Sequence, residues 1–271
     1  MTSRFRRTPI AALAVSLLIG GVSNAIAQGM LLQRGESGVA VSGGYYSTKD
    51  LSGFAGAVGY SFRGIVDLGA SVERSGIDRH VDPRTVIAYV DAESFARGPI
   101  AYPTSGHPRL DATAVCPSVA VHLRGPAHLP SLTIGASYER TWFGEWWSES
   151  LYGAESTTAK YAPILYDALE SGTSLGATAY RQFALSPTAS IVPHAGLAWN
   201  RGETTMTLRG YSYGYRQTSN LFVFPVGVHM LFRASSGTRV HVSPEAEFGT
   251  GGRRAFSVSA GIVMTRSPFR S

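Results

Sequence analysis

Between Val39 and Met264 the chain alternates between apolar residues and small or polar residues, in segments of about ten residues. In the clearest segment, Phe54, Val58 and Phe62 share one face, and the other face carries only alanine, glycine and serine. Successive side chains of a β-strand point to opposite faces, whereas an amphipathic helix repeats its apolar residues at intervals of three and four. The alternation therefore predicts an all-β fold in which each strand has one apolar face.

Ten such segments can be counted, and the links between them fall into two classes. Links after odd-numbered segments cover residues about 47–52, 76–110, 143–171, 201–219 and 250–254, and three of these are long. Links after even-numbered segments are short and rich in turn residues, as at Arg63-Gly64. Long links at one end and tight turns at the other predict a closed antiparallel transmembrane meander β-barrel. Eight or twelve strands follow if residues 111–124 or 203–215 are interpreted differently.

The distribution of charge favours a membrane barrel over a soluble one. Only 15% of the residues are charged, against a typical share of about 25%. Acidic residues fall on the small-residue face of the strands, which would line a polar lumen: Asp67, Glu73, Glu139, Glu245 and Glu247. The opposite face is apolar and suits lipid. Aromatic residues near the strand ends suit the two interfacial girdles of such a barrel: Tyr45, Tyr60, Phe62, Tyr138, Trp142, Trp199, Phe224, Phe232, Phe248 and Phe256.

The first 27 residues have the three parts of a secretory signal peptide. Arg4, Arg6 and Arg7 precede an apolar stretch over residues 9–22, and the small-x-small pattern at residues 25–27 predicts cleavage before Gln28. Removing these three arginines lowers the formal net charge from +6 to +3, so nucleic acid is not an expected partner. We therefore expect two parts, a signal peptide at 1–27 and a barrel domain at 28–271.

Three hairpins resemble those of small bacterial outer-membrane β-barrel proteins of the porin/OmpA-like kind: residues 54–72, 175–199 and 224–248. The resemblance implies the outer membrane of a Gram-negative bacterium as the location. It also implies contact with outer-membrane lipid and lipopolysaccharide, and insertion by the barrel assembly machinery. Members often end on an aromatic residue, whereas this chain has Phe269 near its end rather than at it.

Lumen-facing polar residues are the candidates for internal chemistry: Asp67, Glu73, His122, Glu139, His194, His229, His241, Glu245 and Glu247. His241 and Ser243 form a His-x-Ser motif resembling that of barrel-type lipid A deacylases, with Glu245 and Glu247 following. The two-residue alternation points all four side chains into the lumen, near the end of the barrel with the tight turns and away from lipid. His229 and His241 would lie roughly opposite each other across a hairpin, where a hydrogen-bonded network is expected more than a metal site. No catalytic residue, cofactor or metal is predicted.

The long links supply candidates for surface contact: Trp146, Trp147, Tyr211, Tyr213 and Tyr215. Aromatic side chains give large contact area at low entropy cost, which suits adhesion or glycan contact. Three classes of function stay open on the sequence. The first is a structural or surface-interaction protein, the second a narrow channel for small solutes, and the third a barrel enzyme acting on lipid A or peptides.

Overall fold

The computed structural model of the chain describes residues 28–33, 35–48, 51–77, 111–126, 128–143, 166–208 and 214–266. These residues form one turn of helix, α1 (Gln28–Leu31), and one antiparallel sheet. The strands are β1 (Ser37–Thr48), β2 (Leu51–Phe62), β3 (Val66–Ile77), β4 (Asp111–Leu123), β5 (Ser131–Phe143), β6 (Tyr166–Tyr180), β7 (Phe183–Ala184), β8 (Ala189–Leu208), β9 (Gly214–Ser235), β10 (Thr238–Gly249) and β11 (Arg253–Arg266). A 3-10 turn, Thr250–Gly252, joins β10 to β11. Within these ranges, no helix has the length and hydropathy needed to cross a membrane.

The sheet closes on itself as a barrel of ten strands. Each strand pairs with its neighbour in the chain, and β1 pairs with β11 to complete the ring. The two-residue β7 continues β6 in the same register on β8, because Tyr180 pairs with His194 and Phe183 with Ile191. The interruption lies opposite Pro193, which has no N–H to donate to the ladder. The predicted ten-stranded antiparallel barrel is confirmed.

The register around the ring sets the width of the lumen. Following the pairings once around the barrel returns to β1 about 12 residues further along that strand. Ten strands with this offset tilt by about 40° and give a backbone radius of roughly 10 Å. Side chains can fill an interior of that width, so the size of the inward-facing residues determines whether the lumen is open or filled.

The two faces of the strands are as the alternation predicts. Large apolar side chains cover the exterior and are exposed, with Phe54 at 69% and Leu68 at 58%. Serine, alanine, glycine, histidine and glutamate line the buried interior. Because such an exterior is unfavourable in water, this surface is that of a membrane-spanning barrel.

Tight turns close one end of the barrel, which we call the short-turn end. At the β2–β3 turn, residues 63–65, both Arg63 and Gly64 adopt positive φ, 55° and 61°, as the central residues of a type I′ turn do. Residues 124–130 and 185–188 and the Ser236-Gly237 turn make the other connections at this end. The β10–β11 turn lies at the opposite end, which we call the long-link end, together with the strand ends that flank the β1–β2, β3–β4, β5–β6 and β8–β9 links.

The predicted bounds of the long links are partly wrong. Residues 201–208 and 214–219 were expected in a link, but they are paired strand residues that lengthen the β8–β9 hairpin to 20 and 22 residues. Likewise β6 begins at Tyr166, inside the link predicted over 143–171. Turn residues and broken alternation mark where regular patterning stops, but hydrogen bonding between strands continues past that point.

The apolar core lies inside the barrel at the short-turn end. Residues 28–33, which we call the plug, enter the lumen there. Met30, Leu31 and Leu32 of the plug pack with wall residues in one buried cluster: Ala40, Tyr180, Val192, Leu231 and Val263. Residues 1–27 lie outside the described residues, so the signal peptide and the boundary at Gln28 stay predictions.

Candidate functional site: the barrel lumen

Arginine side chains of the wall hold the plug by its backbone. Nη2 of Arg124 donates to the carbonyl oxygens of Gly29 and Leu32, at 2.7 and 2.6 Å. Nη1 of Arg239 donates to the carbonyl oxygen of Leu31 at 2.8 Å, and its Nη2 pairs with Glu36 at 2.8 Å. These bonds satisfy the carbonyl groups that one helical turn leaves open. The plug therefore has both polar and apolar attachments to the wall.

The inner end of the plug meets a buried chain of polar side chains. Oδ2 of Asp67 accepts from the Gly29 N–H at 2.6 Å and also contacts Nε2 of His122 at 2.8 Å. Nδ1 of His122 in turn contacts Oγ1 of Thr133 at 2.8 Å. A Cβ at position 29 would overlap the His122 ring, so only glycine fits there. Of the predicted lumen candidates, Asp67 and His122 thus anchor the plug.

Three further histidines form a second buried cluster at nearly the same level. The rings of His194 and His229 stack with centroids 4.5 Å apart, and those of His229 and His241 meet edge to face at 6.5 Å. Nε2 of His194 contacts Oε2 of Glu245 at 2.8 Å. Nδ1 of His229 is in close contact with Oγ of Ser243. The predicted pairing of His229 with His241 is diagonal, and Ser243 takes the nearer position.

This cluster does not have the geometry of a Ser-His-acid triad. In a triad the acid orients the histidine that contacts the nucleophile. Here the contact to Ser243 comes from His229, whereas Glu245 is bound to His194. Ser243 is also buried and faces the lumen, as its parity predicts. Among the described residues, no group of three or more histidine, cysteine, aspartate or glutamate side chains is placed to hold a metal ion.

Four glutamates and one arginine form a cluster nearer the long-link end, which we call the acidic layer: Glu73, Glu139, Glu170, Glu247 and Arg253. Glu73 lies within electrostatic range of Glu139 and Glu247. Oε1 of Glu139 accepts from Thr141 at 3.0 Å. Glu247 was expected near the short-turn end with Glu245, but it lies two residues from the far end of β10 and joins this layer instead.

Two members of the acidic layer were not predicted. Glu170 and Arg253 fall within the links predicted over 143–171 and 250–254, where the alternation assigns no face to a residue. Strand pairing places both side chains inward, where Glu170 is 1% exposed and Arg253 is half-buried. Extending the alternation of the neighbouring strands by two to four residues would have found both.

A row of arginines crosses the exterior beside the girdle at the long-link end. We call it the outer arginine row: Arg74, Arg140, Arg201 and Arg254, all exposed. Arg74 pairs across the sheet with Phe54, and Arg254 with Phe248. Arg140 lies over the Trp142 ring at 5.4 Å. The lipid-facing side was expected to be almost free of charge, and this row, level with the aromatic residues at the long-link end, is an exception.

The predicted surface-contact residues are mostly outside the described part of the chain. Trp146, Trp147, Tyr211 and Tyr213 lie there. Tyr215 belongs to β9, where its backbone pairs with Met206. It was expected in a loop and instead forms part of the extended hairpin.

Comparisons with known proteins bear on the fold. No family model and no curated protein sequence matches this chain. Among solved structures, the translocator domain of the autotransporter NalP from Neisseria meningitidis matches with a TM-score of 0.57 at 11% identity, over 94% of this chain and 97% of that one. The outer membrane protease OmpT from Escherichia coli matches at 0.42, with 10% identity over 85% and 96%. Neisserial surface protein A matches at 0.33, with 13% identity over 84% and 96%.

At these identities the NalP match bears on the fold alone, and the two lower scores support no argument. Together with the apolar exterior, the fold makes this chain an integral outer-membrane β-barrel. The fold and the exterior support an outer-membrane location.

Proposed function

We propose that the protein acts at the cell surface through its outer loops, as a structural or surface-interaction protein without enzymatic activity. The main support is the plug, which fills the short-turn mouth with Leu31 and Leu32 at 1% and 0% exposure. Outer-membrane barrels orient their short turns toward the periplasm. A barrel whose lumen is filled at the periplasmic end is poorly suited to free diffusion of solutes. This favours a function carried by the outer loops over one carried by the lumen.

The long β8–β9 hairpin supports a role outside the membrane. A tilted strand crosses the bilayer in about 9–11 residues, whereas these strands have 20 and 22. Their pairing continues without a break from Arg201 opposite Asn220 to Thr207 opposite Gly214. A paired ribbon of this length extends the ends of β8 and β9 beyond the membrane surface.

The outer arginine row suits an anionic lipid surface. Guanidinium groups recognise phosphate through charge-assisted hydrogen bonds. A row of four beside the aromatic girdle stands at the level expected for lipid head groups. We propose the phosphate groups of lipopolysaccharide as its partner, which would hold the barrel at a constant depth beneath the hairpin.

An enzymatic role has less support. Ser243 and His229 would supply a nucleophile and a base, but Glu245 orients a different histidine and the group is buried in the lumen. Lipid acyl chains lie on the other side of the barrel wall. The lumen polar groups serve better as a hydrogen-bonded network that holds the wall and the plug together.

Adhesion of intact cells tests the surface role. Cells that display the protein should bind a mucin-coated surface better than cells with an empty vector, and Tyr211→Ser/Tyr213→Ser/Tyr215→Ser should lose most of that gain. The surface amount of each variant is matched by antibody labelling of an epitope in residues 144–165. Equal adhesion of all three strains would overturn the proposed surface contact.

Planar-bilayer recordings of the intact mature protein should show no sustained stepwise currents, and such currents would overturn the preference for a closed barrel.

A further inference from the structure

We propose that this barrel also contains a conduit for small hydrated cations, which the plug closes from the periplasmic side. This function is separate from the surface contacts proposed above. Three features of the described residues support it: the way the plug is attached, the small side chains of the mid-lumen wall, and the excess of carboxylates in the acidic layer.

The plug is attached to the barrel without being part of its sheet. It belongs to no strand, since β1 begins at Ser37. Gly35, between plug and strand, has a φ of +86°, and a Cβ there would meet nothing within 4 Å. Such a glycine permits a change of chain direction in open space. With cleavage before Gln28, as the signal peptide predicts, the plug becomes a free N-terminal end joined to the barrel on one side only.

The polar bonds that hold the plug come from a small number of wall side chains. Arg124 and Arg239 bind its backbone carbonyls, and Asp67 accepts from its Gly29 N–H. The entropy of ordering six residues opposes these contacts, so releasing the plug requires less free energy than unfolding the barrel.

Above the plug, the wall between the histidine clusters and the acidic layer carries mostly small side chains. Inward positions at this level include Ala57, Ser71, Gly176 and Ala198, and the larger Tyr46 and Pro225 also face inward there. With a backbone radius of roughly 10 Å, walls of this kind leave space that larger side chains would occupy. Hydroxyl groups make such a space suitable for water.

The acidic layer favours solutes of positive charge. It holds four carboxylates and the guanidinium of Arg253. Glu73 and Glu170 are each 1% exposed, and within the described residues neither oxygen of either carboxylate has a hydrogen-bond partner. An ionised carboxylate that is buried without partners is unfavourable, and water and a hydrated cation in the lumen would offset that cost. Acidic rings favour cations in channels. Because no three of these groups are placed to hold a metal directly, the cation would keep its water.

Single-channel recording tests the conduit and the plug together. The mature protein and a variant lacking residues 28–33 are refolded and inserted into planar bilayers with a KCl gradient. Folding of each is verified by the mobility shift on heating in SDS gels. The intact protein should be silent or open rarely, and the deletion should give frequent stepwise currents. Should the deletion not fold, Arg124→Ala/Arg239→Ala keeps the whole chain and weakens only the attachment, and it should open more often than the intact protein.

Ion selectivity tests the role of the acidic layer. In the open variant the potassium-to-chloride permeability ratio should be several-fold above one, and Glu73→Gln/Glu170→Gln should move it toward one. Glu203→Gln, which removes an outward-facing carboxylate, is the matched control and should leave the ratio unchanged.

The outcomes separate the two proposals. A folded but silent plug variant would overturn the conduit and leave the surface role standing. Currents of equal frequency with and without the plug would overturn its role as a stopper and contradict the closed barrel of the proposed function. Currents without cation preference would overturn the assignment of the solute.

Discussion

An arginine placed at the middle of the lipid-facing wall should destabilise the barrel much more than one placed at its edge. Val58 lies four residues from Phe54 toward one girdle and four from Phe62 toward the other, which puts it near the bilayer midplane. Its neighbours across the sheet, Val41 and Ala70, face lipid as well. Arginine on this face costs about 2–4 kcal/mol at the midplane and about 0–1 kcal/mol near the interface. We therefore expect Val58→Arg to lower the free energy of unfolding by about 2–4 kcal/mol.

Leu123 is the matched control for this experiment. It is the last residue of β4, at the short-turn end, and it is as exposed as Val58, 52% against 51%. Urea titration of tryptophan fluorescence in phospholipid vesicles measures both variants, with Val58→Ala to account for the lost side chain. Leu123→Arg should cost about 0–1 kcal/mol. Equal costs at the two positions would refute the assignment of this face to lipid.

Three further predictions concern the lumen, the wall and the lipid contact. Asp67→Ala leaves two buried hydrogen-bond donors without an acceptor and should lower the unfolding free energy by about 1–3 kcal/mol in the same titration, at pH 7. Gly261→Ala puts a Cβ against the backbone of the adjacent strand and should cost about 1–3 kcal/mol, whereas Gly56→Ala, where a Cβ would meet nothing within 4 Å, should change stability by less than about 0.5 kcal/mol. Arg201→Gln/Arg254→Gln should reduce the rise in unfolding temperature that lipopolysaccharide produces but not the rise produced by dephosphorylated lipopolysaccharide; equal rises in the double variant and the parent would contradict the lipid contact.

Strand alternation predicted more of this fold than any single motif. The inward and outward residues of all ten barrel strands follow from the alternation alone. Successive residues face opposite sides of a strand, and the apolar residues mark the side that faces lipid. Boundaries were less accurate, as Glu170 and Arg253 illustrate. Both lie in strand ends whose sequence contains turn residues or lacks regular alternation. Hydrogen bonds to the neighbouring strand keep these ends in the sheet. Pairing therefore added residues to the site that local pattern had assigned to links.

Contacts inside the lumen could not be predicted in the same way. Glu245 and Glu247 are two residues apart on β10, yet one binds His194 and the other joins the acidic layer. Tilt and register decide which residues of other strands stand at the same level, and these properties belong to the closed ring rather than to any one strand.

The plug had no signal in the sequence at all. Residues 28–33 follow the expected cleavage position and lack both alternation and a helix of useful length. Their place is determined by a socket whose walls come from β1, β6, β8, β9 and β11. By itself, then, the sequence determined the barrel, its lipid-facing side and its polar lumen, because side-chain direction in a strand is a local property of the backbone. Only the tertiary structure decided which polar groups meet and what fills the mouth, because those contacts join residues that are distant in the chain and meet only when the ring closes.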